Sequence, residues 1–110
     1  MIMQADSEAA SKEEEFTMKS GVLRANIDLY WEYLEEFDAA CNKLLDSRRD
    51  VVELDLSSVN FISSSYVGCL SSLLLGAAKR KKRVNLKVSE DISWLFEILG
   101  SREVLDLEVV

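Results

Sequence analysis

VVELDLSSVNFISSSYVGCLSSLLLGAAKRKKRVNLKV, residues 51–88, changes its hydrophobic period twice, and those changes decide the fold. In VVELDL, Val52, Leu54 and Leu56 share one face while Glu53 and Asp55 share the other. A two-residue repeat of this kind predicts a strand buried on one side. Beyond the serine-rich turn, Val67, Leu70, Leu73, Leu74, Ala77 and Ala78 recur at spacings of three and four, which predicts a helix running to about Lys82. Gly76 inside it costs roughly 0.5–1 kcal/mol relative to Ala unless a neighbour packs against the missing side chain. VNLKV, Val84 to Val88, returns to a period of two. Strand, helix and strand in succession require a crossover connection, and therefore parallel pairing.

The flanks extend the same alternation. Upstream, Phe16 to Met18 and Val22 to Ile27 form two short candidate strands around a Ser20–Gly21 turn. From Trp31 the stripe Leu34, Phe37, Cys41, Leu44 and Leu45 predicts an amphipathic helix ending near Asp46 to Arg48, with Glu32, Glu35, Glu36 and Asp38 outside and Asp28 as its cap. Trp31 is expected in the core or at its edge, with Tyr30 and Tyr33 half exposed. Downstream, Ser89 is the expected cap of a helix with the stripe Ile92, Leu95, Phe96 and Leu99; Gly100 stops it, and VLDLEVV forms the last strand. The strands alternate instead of being apolar throughout. The expected fold is thus a small α/β domain, a mixed four- or five-stranded sheet with helices mainly on one face. Residues 1–12, MIMQADSEAASK, read as a flexible acidic tail, and 13–110 as a single domain.

Composition narrows the function. Twenty acidic against 13 basic residues give a net charge of -7, which repels nucleic acid. The run KRKKR, Lys79 to Arg83, reads as a solvated helix end. The absence of His removes the usual general base and imidazole ligand. No glycine-rich phosphate loop, HExxH, CxxC or calcium loop occurs, so neither cofactor, metal nor catalysis is expected. A Ser/Lys catalytic pair of Ser65 and Lys79 is disfavoured, since about 14 residues of helix separate them by ~20 Å. Cys41 and Cys69 fall at apolar helical positions and read as buried free thiols in a cytoplasmic protein. CLSSLLLGAA is about half the length needed to cross a bilayer, so no membrane insertion is expected.

The segment DLSSVNFISSSYVGCLSSLLLGAAKRKKRVNLKV resembles the STAS domain of bacterial anti-sigma factor antagonists, whose core reads DLSxVxFxDSSGLGxL. Asp55, Leu56 and Ser57 match its opening, Phe61 its aromatic, Ser64 and Ser65 its hydroxyl pair and Gly68 its second glycine. Ser63 replaces the family's Asp and Tyr66 its first glycine. The resemblance implies a STAS-like fold over about residues 14–109 and a non-catalytic, partner-switching regulator of transcription. It implies as partner an anti-sigma factor of the serine kinase type, with Ser65 as the phosphorylated residue and Ser64 beside it. Other small STAS proteins act as subunits bound to the ATPase of a lipid transporter, or in sensory assemblies, and this remains the alternative. A weak homodimer is a further expectation.

The residues themselves leave two roles open for Ser63 to Ser65. A helix start leaves backbone N–H groups for a serine cap, and a remaining hydroxyl there is well placed to carry a phosphate. Ser63, Tyr66, Ser72, Leu75 and Lys79 form the expected cap and partner surface.

Overall fold

Side-chain alternation in the strands produces a sheet with one dry face. The computed structural model describes residues 15–99 and 104–110, so the amino-terminal stretch read as a tail lies outside the described residues. Its strands are β1 (Phe16–Lys19), β2 (Val22–Ala25), β3 (Val51–Leu56), β4 (Arg83–Val88) and β5 (Leu105–Val109). Its helices are α1 (Leu34–Leu45), α2 (Tyr66–Lys79) and α3 (Glu90–Leu99), with a 3-10 turn over Trp31–Tyr33 leading into α1. The strands lie side by side in chain order, β1 antiparallel to β2 and the others parallel. The five-stranded α/β fold expected from the periodicity is present.

Leu23, Ala25, Val52, Leu54, Leu56, Val84, Leu86, Val88 and Leu105 are buried on the sheet face that meets Phe37, Leu44, Leu70, Leu73, Ile92 and Phe96 of the helices. The opposite face carries Arg24, Glu53, Asp55, Arg83, Asn85, Lys87, Asp106 and Glu108, none of them buried. Arg83 forks onto Asp106 with Nε and Nη2 at 3.0 and 2.7 Å, and Lys87 sits 3.6 Å from Glu53. Exposed pairs like these add little stability, but they satisfy the charged side of the alternation.

Three local details fix the frame. Ser20 (φ 55°) and Gly21 (φ 80°) turn β1 into β2 with two consecutive positive φ values, the hairpin geometry that glycine favours. At Gly76 a Cβ would stand 2.6 Å from Cδ1 of Leu45, so the missing side chain lets α2 approach α1 closely. At the end of α2, Lys81 enters the left-handed region (φ 59°). Its N–H bonds Ala78 O at 3.1 Å while the Lys82 N–H reaches back to Ala77 O at 2.8 Å, a Schellman termination. The helix therefore stops at Lys79, not at Lys82. Lys82 is buried and donates Nζ to the carbonyls of Ser47 and Arg49, holding the α1–β3 loop. With Arg80 facing Asp46 at 3.5 Å and Arg83 on Asp106, the basic run is largely spent on the fold.

Two expected caps are corrected. Asp28 does not cap α1: its Oδ1 accepts the N–H groups of Asn60 and Phe61, more than thirty residues away, at 2.8 and 3.2 Å. Ser89 turns its hydroxyl onto Val59 O at 2.6 Å, leaving Glu90 and Asp91 to favour the α3 amino end through its dipole.

Candidate functional site

The loops before α1 and α2 are stitched together at the carboxyl end of the parallel strands. Besides the Asp28 contacts, Leu29 N–H donates to Phe61 O at 2.9 Å and Ser63 N–H to Leu29 O at 2.8 Å, in a parallel bridge between Leu29 and Ile62. This seam brings two exposed aromatic side chains together. Tyr30 stacks on Phe61 with centroids 5.0 Å apart, and Trp31, next in the chain, is 71% exposed. Trp31 is therefore a surface residue, contrary to the core position its spacing suggested, because the chain there forms a 3-10 turn before α1 begins.

Tyr66 is the reverse case. Expected on the partner surface, it is 0% exposed, with its ring edge-on to Phe37 at 5.3 Å and its hydroxyl donating to Tyr30 O at 2.7 Å. A glycine at this position would leave a void; the ring instead fills it and anchors the aromatic loop. Burial foremost, with Cys69 and the carboxylates of Glu36 and Glu32 nearby, pushes the Tyr66 phenol well above its ordinary range, so it stays a neutral donor.

Around this anchor the three serines divide their work. Ser63 Oγ accepts from Ser65 N–H at a long 3.4 Å and lies 2.9 Å from Ser65 Oγ. Ser63 is thus the side chain that closes the turn into α2, while Ser65, at the cap position itself, makes no side-chain cap bond. Ser64 and Ser65 are exposed. Ser72, Leu75 and Lys79 continue along the exposed stripe of α2, and Leu75 is 64% exposed. Ser65 to Lys79 spans ~20 Å of helix, so this stripe is a long surface and not a pocket. The Tyr30–Phe61 pair was missed in the sequence because the contact that joins it crosses from one loop to another.

Two further groups border the site. Burial opposes ionisation of Asp55, yet the Ser57 hydroxyl (2.6 Å) and N–H (3.0 Å), with Arg24 and Lys87 near, hold its carboxyl below its ordinary value. Cys41 is buried and Cys69 half buried, both free. The Cys69 thiol donates to Asp38 Oδ1 at 3.4 Å, and its hydrogen bond to Cys41, with burial, pushes the Cys41 thiol far up. Among the described residues no group of three or more His, Cys, Asp or Glu could hold a metal ion, and no helix is long and apolar enough to cross a membrane.

The family described as "Mlab, STAS domain" matches residues 13–106. The chain belongs to the STAS-domain family. STAS domains are non-catalytic, and this one is a regulatory, protein-binding module. A solved structure similar to this STAS domain is SiaC of Pseudomonas aeruginosa, at 19% identity and a TM-score of 0.55, covering 82% of this chain and 79% of that one. At that identity the likeness speaks for the fold. A search of curated proteins found no match.

Proposed function

We propose that this STAS domain is a docking subunit of a larger assembly, the ATPase of a lipid transporter or a sensory complex, and binds it through Tyr30, Trp31, Phe61 and the α2 stripe of Ser72, Leu75 and Lys79. The observation that carries this reading is the buried Tyr66 hydroxyl on Tyr30 O, which holds an exposed aromatic cluster in place before any partner arrives. Aromatic side chains fixed in advance lose little entropy on binding and dominate interface energies. The match to the Mlab-type STAS family also supports it over the antagonist subfamily, as do Ser63 and Tyr66 where antagonists carry Asp and Gly.

The test is co-expression with a transporter ATPase or a serine kinase of the anti-sigma type, followed by titration of purified components. Trp31→Ala and Phe61→Ala should each weaken a measured complex at least tenfold, with unchanged circular dichroism. Wild-type affinity in both variants would reject the surface.

The exposure of Ser64 and Ser65 favours a second reading, a serine phosphate that disrupts docking by adding roughly -1.5 to -2 charges. Incubation with a serine kinase partner and ATP, then peptide mass spectrometry, separates the two. Unmodified Ser64 and Ser65 in a demonstrated complex would leave constitutive docking alone.

A further inference from the structure

The two cysteines meet where α1 packs on α2. The contacts across that seam pair residues in the same order along both helices: the Phe37 ring lies edge-on to Tyr66, Asp38 Oδ1 accepts the Cys69 thiol at 3.4 Å, and Leu45 packs against Gly76. The helices therefore run parallel. Cys41 lies midway between Phe37 and Leu45, and Cys69 lies three residues after Tyr66 and seven before Gly76. Such spacings keep each cysteine on the face of its helix that makes the other contacts. At 1.5 Å per residue, Cys41 stands about 6 Å beyond Phe37 and Cys69 about 4.5 Å beyond Tyr66, so the two are level across the seam. They share a hydrogen bond. The missing side chain at Gly76 brings the helices close, as a short covalent cross-link requires.

The two thiols differ in access. Cys69 is half buried and open to a small molecule, while Cys41 is 2% exposed. The hydrogen bond to Cys69, with burial, keeps the Cys41 thiol protonated, and a buried thiol is inert until a partner sulfur becomes electrophilic. We propose that the pair is a redox modification site for a small peroxide, with Cys69 as the residue oxidised first and Cys41 as the one that resolves it. The Cys69 sulfur attacks one oxygen of hydrogen peroxide, the O–O bond breaks, and the products are Cys69 sulfenic acid and water. The Cys41 sulfur then attacks the Cys69 sulfur, the S–O bond breaks, and the leaving hydroxide takes the Cys41 proton as a second water. Two electrons pass from the sulfurs to the peroxide, and a disulfide ties α1 to α2. The chain has no other cysteine, so this is the sole bridge one copy can form. No partner takes part, so the site stands or falls apart from the docking reading.

The test treats the reduced full chain with hydrogen peroxide under native conditions and then blocks the remaining thiols. The intact monomer should lose two hydrogens and both reactive thiols, digestion should yield one peptide pair joined through Cys41 and Cys69, and dithiothreitol should restore both thiols. The oxidised monomer should melt roughly 10 °C above the reduced one, since the bridge closes a loop from Cys41 to Cys69 in the unfolded chain. In a Cys41→Ala variant the Cys69 sulfenic acid should persist, trapped by dimedone at least tenfold more than in the parent, and Cys69→Ala should leave Cys41 unoxidised. Dimers linked through Cys69, Cys69 carried to sulfinic acid while Cys41 stays free, or an oxidised monomer that melts no higher would each overturn the inference.

Discussion

Replacing Tyr66 with Phe tests the anchor on which the docking surface rests. The substitution deletes one hydroxyl from a fully buried side chain and keeps the ring that meets Phe37 edge-on. Its hydrogen bond to Tyr30 O is short, at 2.7 Å, but that carbonyl also accepts Tyr33 N–H at 3.1 Å and so is not orphaned. The loss should therefore be that of one net hydrogen bond, about 1 kcal/mol, without the added penalty of an unsatisfied acceptor. For a domain of this size that is a fall of roughly 5 °C in Tm. Tyr66→Ala, which also empties the ring site, should cost ~3–5 kcal/mol. Urea unfolding followed by far-ultraviolet circular dichroism is the appropriate assay, because both tryptophans are already largely exposed and their emission reports folding poorly. The Phe variant should also loosen the loop, seen as faster hydrogen exchange at the Leu29 and Ser63 amides that bridge the two loops. A Phe variant as stable as the parent, or one as damaged as Tyr66→Ala, would refute the reasoning.

Gly76→Ala should lose about 1 kcal/mol in urea unfolding, since crowding against buried Leu45 outweighs the better helix propensity; a gain in stability would show that Leu45 moves aside freely. Lys81→Gly should raise stability by about 1 kcal/mol by relieving the left-handed backbone, with an unchanged or lower melting temperature as the contrary result. Asp55 has a folded pKa below its unfolded one, so its contribution is complete above about pH 4 and is lost as pH falls through the folded value. Asp55→Asn should flatten the stability profile in that acid window and leave its slope near neutrality unchanged, as followed by urea midpoints at stepped pH.

The architecture was legible because it depends on short-range pattern. Val52, Leu54 and Leu56, or Leu70, Leu73 and Ala77, declare their buried face within a few residues, and Leu75 is exposed as its place off the stripe indicated. The surface was less legible where distant loops meet. Asp28 stands a plausible distance before a helix, yet its acceptor oxygen is claimed by amides on the loop before α2. Tyr66 sits at a helix start, where side chains commonly face water. Only the carbonyl of Tyr30, 36 residues earlier, explains why it turns inward. Trp31 fails for a related reason: helical spacing places it in the stripe only if the helix has already begun, and it begins at Leu34. Gly76 was open between a helix defect and a packing device until the position of Leu45 decided it.

The side-by-side order of the strands carries a consequence for synthesis. Each new strand of this sheet joins the edge left by the one before it, so none has to be threaded between two already placed. A nascent chain can therefore assemble from the β1–β2 hairpin outward as it leaves the ribosome, adding one helix-covered strand at a time. Until the segment 104–110 has emerged, β4 is the growing edge, with Val84, Leu86 and Val88 lacking their neighbours on that side. Ribosome stalling or truncation between α3 and β5 should thus leave a chain whose preceding elements can dock but whose apolar edge is open to pairing with other chains, the state from which aggregation would start.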